Sequence, residues 1–129
     1  MTIETVVPES GRSAYRNFHF SQGVKSGGFL VCSGQIGTNP DHSVPSSAEE
    51  EFKNAWKAVG VVLAEAGVGF EDIIEYTSFH VDLSKHIRTF MKVRDEVLHE
   101  PWPAWTAIGI SELAVTGAKA EIRVIARLR

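Results

Sequence analysis

Residues 46–83 read SSAEEEFKNAWKAVGVVLAEAGVGFEDIIEYTSFHVDL, and the change of hydrophobic period within them decides the fold. Ser46 and Ser47 each stand three positions before a glutamate, Glu49 and Glu50, which is the spacing of a capping box. Phe52, Trp56, Val59 and Leu63 follow at intervals of four, three and four residues and share one helical face. Gly67 closes the helix, because glycine adopts the left-handed conformation of a helix end without penalty. Residues 73–83 are instead rich in β-branched and aromatic side chains, which suits a strand. Ile73, Thr77, Phe79 and Val81 are expected on one face of it, with Tyr76, Ser78 and His80 on the other.

Downstream, Ser84 is expected to cap a second helix with Ile87, Phe90, Met91, Val97 and Leu98 as its buried stripe. Pro101 and Pro103 stop it. Two strands close the chain, at 104–110 and 119–128, divided by a turn at Thr116-Gly117. The second alternates strictly: Ala120, Ile122, Val124 and Ala126 face one way, and Glu121, Arg123, Ile125 and Arg127 the other. Upstream, residues 1–17 read as a loosely patterned lead-in, and Phe18, Phe20 and Val24 as a short strand. Gly27-Gly28 marks a hairpin-type turn into an apolar strand at 29–32, and Asn39-Pro40-Asp41 marks a loop over 37–45.

The order strand, strand, helix, strand, helix, strand, strand implies an α+β domain: one mixed sheet with both helices on one face. Residues 1–129 form a single domain, the size expected for one core. The second sheet face is expected to carry Tyr76, Ser78, His80, Glu121, Arg123 and Ile125, neither polar nor apolar throughout. A face of that kind is often covered by another subunit, so self-association follows from the pattern alone.

Composition narrows the function classes. Hydrophobic residues make up 43% and charged residues 22%, the proportions of a folded globular chain. The net charge is -3, and lysine and arginine gather only at Arg123, Arg127 and Arg129, so no basic stripe marks a nucleic-acid binder. The longest apolar run, near 58–66, is broken by Gly60 and Glu65 and is too short for a membrane span. No signal peptide is indicated, Cys32 has no partner cysteine, and the cytoplasm is the expected compartment.

No phosphate-binding glycine loop, dinucleotide fingerprint or paired-cysteine metal motif is present, so neither cofactor nor metal is expected. His80 and Asp82 stand two apart on a strand, but metal sites need three or four converging groups, and the pair reads as ordinary strand side chains. Cys32 lies inside an apolar run and reads as a buried structural thiol. More specific are the separated segments Phe20-Ser21-Gln22, Val31-Cys32-Ser33-Gly34-Gln35-Ile36, Pro103-Ala104-Trp105-Thr106-Ala107 and Glu121-Ile122-Arg123-Val124-Ile125-Ala126.

With these in order, and with Glu65-Ala66-Gly67 and Asp72-Ile73-Ile74 between them, residues 20–127 resemble the RidA/YjgF family of reactive-intermediate deaminases, once labelled endoribonuclease L-PSP. The segment 103–109 together with Thr77-Ser78-Phe79-His80 resembles its YjgH-like subgroup. The resemblance implies a chorismate-mutase-like (ferredoxin-like) α+β fold and a homotrimer with a barrel-like centre and small-molecule clefts between subunits. It implies that Glu121 positions or activates the water that hydrolyses an imine, and that Phe20, Ser33, Gly34, Trp105, Thr106 and Ala107 line the pocket.

The match departs from the family's pattern where it matters. Trp105 stands at the position of the carboxylate-binding arginine, Phe20 at that of a tyrosine, and Ala107 at that of a common cysteine. An indole offers one N–H and an apolar face, whereas a guanidinium grips a carboxylate with two parallel bonds. Arg123 and Arg94 are the candidates for a relocated cation, and Arg123 has the competing role of pairing with Glu121 or a neighbouring subunit. Two functions follow: hydrolysis of small imines or enamines, weak or absent toward 2-iminobutanoate and 2-iminopropanoate, or non-catalytic capture of a small metabolite by the same trimer. The ribonuclease reading lacks a basic surface and a nucleophile–base set.

Overall fold

The structure, a computed structural model, describes residues 2–129. Its elements are β1 (Glu4–Val6), α1 (Arg12–Phe18), β2 (Gly23–Ser26), β3 (Phe29–Cys32), β4 (Gln35–Ile36), α2 (Ala48–Glu65), β5 (Ile73–Val81), α3 (Leu83–Arg94), β6 (Ala104–Ile110) and β7 (Ala120–Arg127). The strands form one mixed sheet in the order β1-β2-β3-β7-β5-β6, with β4 also pairing β7. Only β5 and β6 run parallel; the helix α3 crosses between them.

The long helix forms where its punctuation places it. Ser47 is the N-cap and its side chain accepts from the backbone N–H of Glu50, while three glutamates in the first turn complement the helix dipole. Phe52, Trp56, Val59 and Leu63 are buried against Leu30, Ile122, Val124 and Ala126 of the sheet. From α3, Phe90 meets Phe52 edge-on with ring centroids 5.5 Å apart, and Trp56 meets Tyr76 likewise at 5.4 Å.

A buried carboxylate ties α2 to β7. Glu51 is fully buried and accepts from the backbone N–H groups of Lys119 at 2.7 Å and Ala120 at 3.2 Å, with the Lys119 ammonium at 3.3 Å. Asp72, also buried, accepts from the Gly69 N–H and from Arg127 and Arg129. The Gly69 N–H, and after it the Arg129 and Arg127 guanidinium groups, hold its carboxyl below the usual range against the effect of burial.

Several expectations are corrected. The N-terminal lead-in contains β1, a 3-10 turn at Glu9–Gly11 and α1, and Phe18 ends that helix largely exposed rather than beginning a strand. Asp82, in a left-handed conformation, is the N-cap of α3 in place of Ser84. The helix ends at Arg94, so Val97 and Leu98 pack from the segment beyond it.

The faces of β5 are exchanged. Tyr76, Ser78 and His80 lie on the helix-covered face, opposite Val124, Ile122 and Ala120, while Thr77 and Phe79 stand with Arg123 and Glu121 on the open face. A register shift between Ile73 and Glu75 lets Ile73 and Tyr76 both face the core, because one extra residue reverses the side-chain alternation. The open face therefore carries Glu121, Arg123 and Ile125 without the three polar residues of β5.

Candidate functional site

The residues singled out from the sequence fall into two groups on opposite faces of the sheet. Trp105 pairs in register with Tyr76 and shares its helix-covered face; Glu121 pairs with Phe79 on the open face, with β5 between the two strands.

The first group is built on the edge strand β6. The Trp105 ring stacks on Tyr76 at 5.7 Å with an interplanar angle of 11°, and lies near-parallel to Phe90 at 6.0 Å. Its indole N–H donates to the Ser78 hydroxyl at 2.9 Å, and that hydroxyl is 2.7 Å from His80 Nε2. Burial, and then the neighbouring His86, push the His80 pKa down to about 4. An imidazole with that pKa is neutral near pH 7. Its Nδ1 is buried with no hydrogen-bond partner among the described residues.

Over Trp105 sits Arg94, its guanidinium carbon 5.0 Å from the ring centroid, a cation–π placement. Arg94 donates from Nη1 to the Tyr76 hydroxyl at 3.1 Å and from Nε to Asp95 at 2.8 Å. Burial works against the charge, and the bonds to Tyr76 and Asp95 outweigh it, so the Arg94 pKa is raised. Burial also raises the Tyr76 pKa, with Arg94 opposing. Tyr76, Arg94, Trp102, Pro103 and Trp105 enclose a slot of about 260 Å³, and Trp102 is 57% exposed at its mouth.

The second group surrounds Glu121. Gly34 is packed so closely against this carboxylate that a Cβ there would come within 1.9 Å of Oε1, which only glycine avoids. Burial alone raises the Glu121 pKa, the direction useful in a group that exchanges protons near neutrality. Ser33 donates its hydroxyl to the Ser21 carbonyl at 2.6 Å, which fixes the strand approach to Gly34. Phe20 is 43% exposed beside this segment. Arg123 is exposed on the open face and forms no ion pair with Glu121 among the described residues.

Thr106 shares the open face, and Ala107 the helix side of the exposed edge strand. Of the two candidate cations, Arg94 joins Trp105 and Arg123 does not. Sequence reasoning missed Tyr76 and Trp102; the exposed tryptophan between two prolines was the available signal for the latter. No group of three or more His, Cys, Asp and Glu side chains suited to a metal occurs among the described residues. Cys32 is buried, its thiol pushed up to about 12 by desolvation.

The family model described as endoribonuclease L-PSP matches residues 12–128. The chain belongs to the RidA/YjgF family. It is 37% identical to the RutC family protein YjgH of Escherichia coli over 130 residues, covering 99% of this chain and 98% of the relative. The solved structure of protein YjgH superposes with a TM-score of 0.89 over 99% of this chain and 98% of that one, at 35% identity. This RidA/YjgF chain is also 29% identical to mouse 2-iminobutanoate/2-iminopropanoate deaminase over 83% of its length and 79% of the relative. The structure of E. coli TdcF with bound serine matches with a TM-score of 0.77 at 27% identity, over 85% of this chain and 88% of that one. No helix among the described residues is long and apolar enough to cross a membrane.

Proposed function

We propose that the protein binds a small carboxylate-bearing metabolite in the slot of Tyr76, Arg94, Trp102 and Trp105, with Arg94 as the cation. The observation that carries this reading is the fixed guanidinium of Arg94, held by Tyr76 and Asp95 above the Trp105 ring. Those bonds leave hydrogens free on both Nη atoms, a fork suited to a carboxylate. The kinship with a mouse 2-imino acid deaminase and with a protein seen holding serine supports a small amino- or imino-acid-like ligand.

The accompanying chemistry is hydrolysis of small imines or enamines, a C–N bond hydrolase reaction in which Glu121 positions and deprotonates water. Glu121 and Trp105 lie on opposite faces of one chain, so this reading includes a homotrimer in which Glu121 of one copy meets the slot of the next. The exposed edge strand β6 and the open sheet face support that assembly. Neither nucleic acid nor membrane is a partner in this reading, and the buried, unpaired Cys32 agrees with a cytoplasmic setting.

Because Trp105 stands where the family's deaminases carry arginine, freshly generated 2-iminopropanoate is hydrolysed far more slowly than by an arginine-containing member. Comparable rates would sink this. Arg94→Ala weakens carboxylate binding by about 30-fold or more, whereas Arg123→Ala leaves it unchanged. The opposite ranking would move the cation to Arg123. Glu121→Gln keeps binding and loses turnover.

A second reading, a non-catalytic binding trimer, is favoured by one observation: the Trp105 N–H is spent on Ser78 and is not offered to a ligand. Saturable carboxylate binding with no turnover of any imine tested would select it.

A further inference from the structure

The largest cavity among those described lies away from both groups, between the outer side of α2 and the 37–45 loop, with a volume of about 480 Å³. That is the size of a small-metabolite site. It shares no residue with the Arg94 slot.

Its walls are built rather than incidental. Asn54 on α2 donates its side-chain N–H to the Gly37 carbonyl and to Asn39 Oδ1, both at 3.3 Å, which fastens the loop to the helix. The loop braces itself through Asn39, Asp41 and Ser43 and turns at His42, whose φ is 71°. On the far wall the Gln35 side chain donates to Gln22 Oε1 at 2.6 Å, and Gln22 lies so close to Gly11 that a Cβ there would come within 2.5 Å of it. These bonds fix the Gln22 amide and leave its Nε2 as a donor with no partner among the described residues.

The chemistry of the lining selects a ligand. No aspartate or glutamate lines the cavity, and its cation is Lys57, which forms no ion pair among the described residues. The other polar groups are hydroxyls and amides, among them Ser10, Thr38, Gln22 and Asn54, together with the His42 imidazole, set against an apolar wall that includes Val61. The Lys57 ammonium among hydroxyls and amides, with no carboxylate beside it, fits an anion on a body that both donates and accepts hydrogen bonds.

We propose that this cavity is a second binding site, for a small organic monoanion bearing several hydroxyl groups. Lys57 meets its carboxylate; the Gln22 amide and the Ser10 and Thr38 hydroxyls meet its hydroxyls. The site is independent of the Arg94 slot, so it stands or falls without the function proposed above.

Titration of the full-length, isotope-labelled protein with gluconate tests it, read on the side-chain amide resonances of Gln22, Gln35, Asn39 and Asn54. Saturable shifts confined to these amides, with a dissociation constant of about 1 mM or below, are the expected result. Lys57→Met, an exposed helical position that tolerates methionine, weakens binding about tenfold or more. Arg94→Ala leaves the shifts unchanged. Absence of saturation overturns the proposal, as do equal shifts in Lys57→Met. Equal binding of neutral sorbitol overturns the role of the charge, and equal binding of inorganic phosphate overturns that of the hydroxyls.

Discussion

The two faces of β5 invert the usual relation between polarity and burial. The helix-covered face carries Tyr76, Ser78 and His80, with the last two fully buried, while the open face carries Phe79 and, from neighbouring strands, Ile108, Val31 and Phe29. Hydropathy alone assigns them the other way. The buried face is tolerable because most of its polar atoms are linked: Trp105 donates to Ser78, Ser78 meets His80 Nε2, and Tyr76 meets Arg94, leaving His80 Nδ1 without a partner among the described residues. The comparison teaches that a polar residue can enter a core when a partner enters with it.

The same contrast separates the two carboxylates of the sheet region. Glu51 is fully buried yet satisfied by two backbone N–H groups and Lys119, whereas Glu121 is half-buried and desolvated. A satisfied carboxylate anchors the fold; a destabilised one is suited to proton exchange.

Experiments that would break or sharpen these contrasts follow in order of expected size. Glu51→Ala strands two buried backbone donors and opens a void. It is expected to destabilise the protein by about 3–5 kcal/mol in urea unfolding. A loss below about 1 kcal/mol would show that water replaces the carboxylate.

Next is acid sensitivity. The His80 pKa falls from an ordinary 6.5 to about 4 on folding, so between those values the unfolded chain binds the extra proton. Stability from this residue is intact above pH 6.5 and lost as pH falls toward 4, by up to about 3 kcal/mol. His80→Phe should flatten that part of the pH–stability curve; an unchanged slope would assign the acid sensitivity elsewhere.

Smaller is the indole bond. Trp105→Phe keeps the stacking on Tyr76 and removes only the donor to Ser78, at about 1–2 kcal/mol, and is expected to be non-additive with Ser78→Ala. Full additivity would show that the bond does not contribute. Last, Arg123→Ala on the open face should change chain stability by no more than about 0.5 kcal/mol. A larger loss that depends on protein concentration would place Arg123 in a contact between copies.

Much of the fold was legible because local rules and tertiary contacts agree. Ser47 caps α2 where the spacing predicts, Phe52, Trp56, Val59 and Leu63 form one buried stripe, and β6 spans Ala104–Ile110 as read. The N-terminal segment was illegible because α1 buries no residue and so has no apolar period to read. Its neighbour β1 has only three residues. At the site, Glu121 and Trp105 were readable as residue types in order along the chain, but their placement on opposite faces was not. That depends on strand pairing, which no single segment encodes.

By itself the sequence determined the α+β class and the family, since each is carried by local period or residue order. Tertiary structure alone decided which face of β5 is buried, because the register shift near Ile74 reverses the alternation upstream of it. It also placed Arg94, and not Arg123, over the Trp105 ring. Arg94 ends α3 and Trp105 lies eleven residues on in β6, and the parallel pairing of β6 with β5, spanned by α3, lays one over the other.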